Sequence, residues 1–149
     1  MGADEETPKN NLRESASFAV KEIPGLLKQK VDELKILQMS ADLKKAEFKR
    51  RVWHWADKLD VKIVWLGVRP MRNKWASCST SGHFNFSDEL PALKPDLWDY
   101  VIVHELLHFS VPNHGKLWKS LMRSHLGEYE AHEGELKRFA GNKALQHTR

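Results

Sequence analysis

His104, Glu105 and His108 stand in the order H-E-x-x-H, and His114 follows six residues after the second histidine. On a helix, positions four apart share one face, so His104 and His108 would present their imidazoles one turn apart. Glu105 would sit beside the same point. This is the arrangement of zinc peptidases: two neutral imidazoles hold Zn²⁺, and the glutamate handles the proton of an activated water. A catalytic zinc usually takes three protein ligands and a water. His114 supplies the third, at the spacing of the long form H-E-x-x-H-x-x-G-x-x-H. Val111 replaces the glycine of that form, so the chain must turn by another route. Val111-Pro112-Asn113 offers one, with a proline to end the helix and an asparagine suited to turns. The expectation is one Zn²⁺ per chain on His104, His108 and His114, with Glu105 as general base. The competing reading is a buried helix whose histidines are merely hydrogen-bonded. Two imidazoles and a carboxylate in so apolar a segment are costly to bury without a partner, which favours the metal. Three imidazoles would also suit other first-row ions.

The element that must carry these residues runs from Pro95 to about Ser110. Pro95 fits a first helical turn and Asp96 is favourable there. Leu97, Trp98, Tyr100, Val101, Ile102, Val103, Leu106 and Leu107 make the helix apolar nearly all round, which predicts burial at the centre of its domain. A second helix is expected over Gly115–Leu126, and a polar one from Glu128 to about Lys143. Upstream, Val61–Val68 reads as a strand. Lys74–Ser79 and His83–Ser87 read as two more, joined by Thr80-Ser81-Gly82 in a half-buried hairpin. Cys78 alternates onto the apolar side with Ala76, which favours a small buried hydrophobe over a nucleophile.

Before the strands the periodicity is helical. Apolar residues recur at 27, 31, 34 and 37, and Ser40 or Asp42 is expected to cap a further helix to about Leu59. Phe48, Val52, Trp55 and Leu59 form its core stripe. The expected organisation is a disordered tail over 1–11, a helical region over 12–60, a core over 61–143 and a frayed end over 144–149. Within the helical region a short helix over 12–23 would end at Pro24-Gly25.

Composition narrows the function classes. The chain has 149 residues, and its single cysteine excludes an intrachain disulfide and suits a reducing, cytoplasmic compartment. The acidic start lacks an apolar signal region, and no run approaches a membrane span. Gly2 is not in a myristoylation motif, since Glu6 stands where Ser or Thr is expected. The net charge is +4, but residues 61–110 carry 5 basic and 5 acidic side chains, so no basic track runs through the motif-bearing middle. The basic run Lys44–Arg51 reads as a solvated helix face before a nucleic-acid contact.

From Val68 to about Leu126 the chain resembles the YgjP-like metallopeptidase domain, a zincin-type family. The resemblance rests on Arg72-Asn-Lys-Trp-Ala-Ser-Cys-Ser79, Asp99-Tyr-Val-Ile-Val-His-Glu-Leu-Leu-His108 and Asn113-His-Gly-Lys-Leu-Trp118, three motifs in order. Ala76 replaces the usual glycine of the hairpin. The resemblance implies zinc at the three histidines, a catalytic Glu105 and an α+β zincin core. In that core a short, mainly antiparallel sheet packs on the active-site helix. The short N-terminal region resembles the family's compact form.

The implied reaction is peptide-bond hydrolysis on a peptide or protein substrate. By residue type, Tyr129, His125, His132 and Arg72 are candidates to stabilise the oxyanion. His83–Ser87 is expected to be an exposed edge strand on which an extended substrate pairs. Two other classes compete: a zinc-binding interaction module, and a DNA-associated or restriction-system accessory domain with little or no turnover.

Overall fold

The computed structural model describes residues 24–140, so the expected tail over 1–11, helix over 12–23 and frayed end over 144–149 lie outside the described residues. By internal contacts the chain divides into two units, Met1–Met39 and Ser40–Arg149. One helix, α1, runs through Gly25–Lys58. The break expected at Ser40 or Asp42 does not occur. No proline or glycine interrupts the stretch, and Ser-Ala-Asp costs a helix interior too little to stop it. The first unit's part of α1 is exposed, Leu26, Leu34 and Leu37 included.

In the second unit, α1 buries Phe48, Val52 and Trp55 of the predicted stripe, with Ala56 beside them. Leu59 packs partly buried against the same core. Asp60, at φ 54°, turns the chain out of the helix. The strands are β1 (Trp65–Arg69), β2 (Ala76–Cys78) and β3 (His83–Ser87). β2 and β3 form the expected hairpin, with Cys78 opposite Phe84 and Ala76 opposite Phe86. Gly82 closes the turn at φ 86°, where a Cβ would also meet the Lys62 carbonyl at 2.9 Å. β1 runs parallel to β3, Trp65 opposite His83 and Arg69 opposite Ser87. The sheet order is β1-β3-β2.

Two expectations are thereby corrected. The sheet is mixed rather than mainly antiparallel, because the β1–β2 loop crosses over and returns β2 on the far side of β3. His83–Ser87 is the central strand, with partners on both edges, so it cannot take a substrate strand. The exposed edges belong to β1 and β2.

A 3₁₀ turn, Leu90–Ala92, leads to α2 (Pro95–His108), followed by α3 (Lys116–Leu126) and α4 (Glu130–Ala140). α2 is buried from Leu97 to His108 except for the half-buried Asp99. It packs against β2, α3 and α4, as its all-round apolar composition requires. Phe48 fixes the second unit's part of α1 to this core edge-on, against Phe86 at 5.3 Å and Trp98 at 5.6 Å. The result is an α+β core whose central helix carries the histidine motif. Among the described residues no helix is long and apolar enough to cross a membrane.

Candidate metal centre

α2 starts on Pro95 and Asp96 and carries His104, Glu105 and His108 in its last two turns. After His108 the chain does what the missing glycine left open. The Val111 N–H donates to the Leu107 carbonyl at 2.7 Å, and Asn113 Oδ1 accepts the Gly115 N–H at 3.3 Å. That Asx turn opens α3 and brings His114 back over α2.

The three imidazoles converge. Their Nε2 atoms are 3.1 Å apart for His104–His108, 3.2 Å for His104–His114 and 2.8 Å for His108–His114. Three nitrogens about 2.0–2.1 Å from a tetrahedral zinc would lie about 3.3 Å from one another. Two sides of the triangle match that to within about 0.2 Å, and the His108–His114 side is about 0.5 Å shorter. His108 Nδ1 donates to the Val111 carbonyl at 3.0 Å, which leaves its Nε2 lone pair facing the triangle. One residue thus replaces the expected glycine and orients a histidine.

Glu105 is wholly buried, and neither carboxyl oxygen has a hydrogen-bond partner of normal geometry. Burial pushes its pKa up to about 8, against the weaker downward pull of the Cys78 thiol and the Lys74 charge. The three imidazoles could together hold a metal ion, and a dication there would offset the burial that now disfavours the anion of Glu105, the residue after His104.

Aromatic rings enclose the triad. Trp118 packs on all three imidazoles, at 4.3 Å from His114, 4.9 Å from His104 and 6.0 Å from His108. Tyr100, one turn before His104, contacts it edge-on at 5.8 Å and stacks on Tyr129 at 6.1 Å. Burial raises the Tyr100 phenol above its ordinary range, so it stays protonated. Sequence reasoning placed Trp118 in α3 but gave it no part in the site. Its offset of four from His114, one turn along the helix, was the available signal.

Of the four residues considered by type for the oxyanion, Tyr129 lies in this aromatic wall, against Trp118 at 5.8 Å. His125 packs on Trp55 at 6.2 Å instead. His132 opens α4 with its N–H on the Tyr129 carbonyl, and Arg72 is exposed on the β1–β2 loop. Cys78 is half-buried and packs on the core, as its alternation predicts, while its thiol also acts on Glu105. Within the basic run Lys44–Arg51, Phe48 is core, and Arg51 grips Asp99 with two hydrogen bonds of 2.7 Å.

A small mixed sheet packed on a helix with three converging histidines defines a metallopeptidase-type domain. The chain belongs to the YgjP-like, metallopeptidase domain family, whose model matches residues 4–139. Among solved structures it is similar to the metallopeptidase zymogen of Methanocaldococcus jannaschii jannalysin. The two are 27% identical with a TM-score of 0.54, over 62% of this chain and 93% of that one. The metallopeptidase zymogen of Pyrococcus abyssi abylysin shares the fold at 18% identity, with a TM-score of 0.56 over 66% of this chain and 99% of that one. No curated protein matches the chain by sequence.

Proposed function

We propose that this chain is a zinc-dependent metallopeptidase in which His104, His108 and His114 hold one Zn²⁺ and Glu105 is the general base for peptide-bond hydrolysis. The observation that carries the reading is the convergence of three Nε2 atoms within 3.2 Å beside a buried carboxyl without a normal partner. When bound, zinc would bring the pKa of a coordinated water to about 7 and polarise the substrate carbonyl. Glu105 takes the proton of the attacking water and returns it to the leaving amine. His108 is kept in the ligand tautomer by the Val111 carbonyl, and Trp118 walls the triad from bulk water. An extended substrate pairs with the outer edge of β2, the edge strand that packs on α2. A cytoplasmic setting belongs to this reading, since the chain's one cysteine can form no intrachain disulfide.

The test is metal content per chain together with hydrolysis. Wild type is expected to carry about one zinc per chain. His114→Ala is expected to bind it ten- to a hundredfold or more weakly, roughly the least that losing a ligand should cost. Glu105→Gln is expected to keep the zinc and lose hydrolysis. A wild-type protein that neither contains zinc nor takes it up would sink the proposal.

A further inference from the structure

Between Asp60 and Asp88 the chain has no acidic residue, yet it has four basic ones: Lys62, Arg69, Arg72 and Lys74. Arg69 ends β1, and Arg72 and Lys74 fall in the link from β1 to β2. There the backbone folds round an open cleft of about 500 Å³ lined by Arg69, Pro70, Met71, Arg72, Asn73 and Lys74. Met71, which lines the cleft, is buried, 8% exposed. Arg69 and Arg72 stay exposed. Asp88, the residue after β3, donates its N–H to the Arg69 carbonyl. Even so, neither arginine is in an ion pair among the described residues, where the four pairs involve Arg51, Lys94, Arg123 and Lys137. A concave loop with two unneutralised guanidinium groups is a site for an anion, and their planar forks suit a carboxylate.

Its position gives the anion a role. The loop runs directly into β2, the edge strand packed on the metal-site helix. A peptide laid along β2 would pass over the loop where the strand begins.

We infer that the β1–β2 loop is a substrate subsite in which Arg69 and Arg72 bind a carboxylate of the peptide. The inference rests on the peptidase reading and names the substrate class that site prefers. The carboxylate comes either from an Asp or Glu side chain near the scissile bond or from the free C-terminus of a short peptide. Both present the same planar anion.

The experiment uses the full zinc-loaded chain and three kinds of short peptide. One is neutral and amidated, one replaces a single Gln by Glu at successive positions, and one is neutral with a free C-terminal carboxylate. Binding is measured on Glu105→Gln by fluorescence anisotropy, and cleavage on the wild type as kcat/KM. Peptides with a carboxylate in register are expected to bind about fivefold more tightly than the neutral one, with kcat/KM rising alike, and the preference should fade with added salt. In Arg69→Gln/Arg72→Gln the ratio of acidic to neutral peptide is expected to fall to near one. Arg69→Lys/Arg72→Lys should restore part of it. Preference for one Glu register alone assigns an internal acidic residue; preference for the free carboxylate alone assigns the chain end. Equal binding of all peptides, or a preference that survives the Gln variants, overturns the subsite. Selective binding without cleavage by the wild type leaves the subsite standing and removes the peptidase reading. Cleavage without selectivity does the reverse.

Discussion

Asp99 and Glu105 lie six residues apart on helix α2, and the fold treats their carboxylates in opposite ways. Asp99 is fully provided for. Its Oδ1 accepts from Arg51 Nε at 2.7 Å and Trp55 Nε1 at 2.6 Å, and its Oδ2 accepts from Arg51 Nη2 at 2.7 Å. The side chain is 15% exposed and its arginine 45%, so the pair still touches water. Glu105 is wholly buried, has no partner of normal geometry, and is pushed up to about 8 by burial. A carboxylate with three donors ties α1 to α2 and has no capacity left for chemistry. A carboxyl without them costs stability, and the proposed mechanism assigns it the proton of the attacking water once a dication restores its anion. On that reading the difference separates holding from reacting on a single helix.

The largest effect that tests this separation is on rate. Glu105→Gln is expected to lower kcat/KM for peptide hydrolysis about a thousandfold, on the order of 4 kcal/mol of barrier, with zinc content unchanged. The same variant sharpens the contrast in stability. In metal-free wild type, the unfolded chain releases the Glu105 proton near the ordinary glutamate value of 4.5, while the folded chain keeps it up to about 8. The folded state then holds more protons, so stability falls as pH rises through that window. Glu105→Gln is expected to lack this part of the slope, and urea unfolding of both metal-free proteins from pH 4 to 8 checks it. Parallel slopes in the two proteins would break the comparison.

Asp99→Ala comes next, with its effect on the other side. It strands Trp55 Nε1 and one arginine. The arginine can rehydrate, so the loss is set at about 1–2 kcal/mol of folding free energy rather than the larger figure for a buried pair. Hydrolysis per zinc-loaded chain is expected to hold. A rate that collapsed while stability stayed would mean that Asp99 belongs with Glu105 after all.

How much of this contrast the sequence discloses follows from distance along the chain. The histidine triad is legible because its members are four and six residues apart, within reach of helical periodicity and one turn. The buried character of α2 is legible from its composition. Asp99 reads only as a helix residue, because its partners Arg51 and Trp55 lie 48 and 44 positions away, and no local pattern records such a pairing. The place of β3 in the sheet is hidden for the same reason. Its alternation of polar and apolar residues fits an edge strand, and only the crossover from β1 puts a parallel neighbour on its open side. Trp118 is a middle case: its spacing from His114 was visible, but an aromatic on an amphipathic helix reads first as core. Here it is both core and wall of the site. The continuity of α1 through Ser40 is not legible because a Ser or Asp is only a weak start signal, and nothing beside it forces a stop.

The smallest effect concerns geometry rather than charge. Arg51→Lys keeps the positive charge opposite Asp99 but replaces a two-pronged guanidinium by a single ammonium. Only one of the two 2.7 Å hydrogen bonds can then form, and the Trp55 Nε1 bond is untouched. Because Arg51 is 45% exposed, solvent takes up much of the difference, and the expected loss is about 0.5 kcal/mol. Denaturant unfolding of Arg51→Lys, Arg51→Ala and Asp99→Ala as one series checks it. If charge alone mattered, Lys would match wild type and only Ala would fall. If the fork matters, Lys falls between them. A Lys variant as unstable as Asp99→Ala would show that the paired geometry, not the mere neutralisation of Asp99, joins α1 to the helix that carries the metal site.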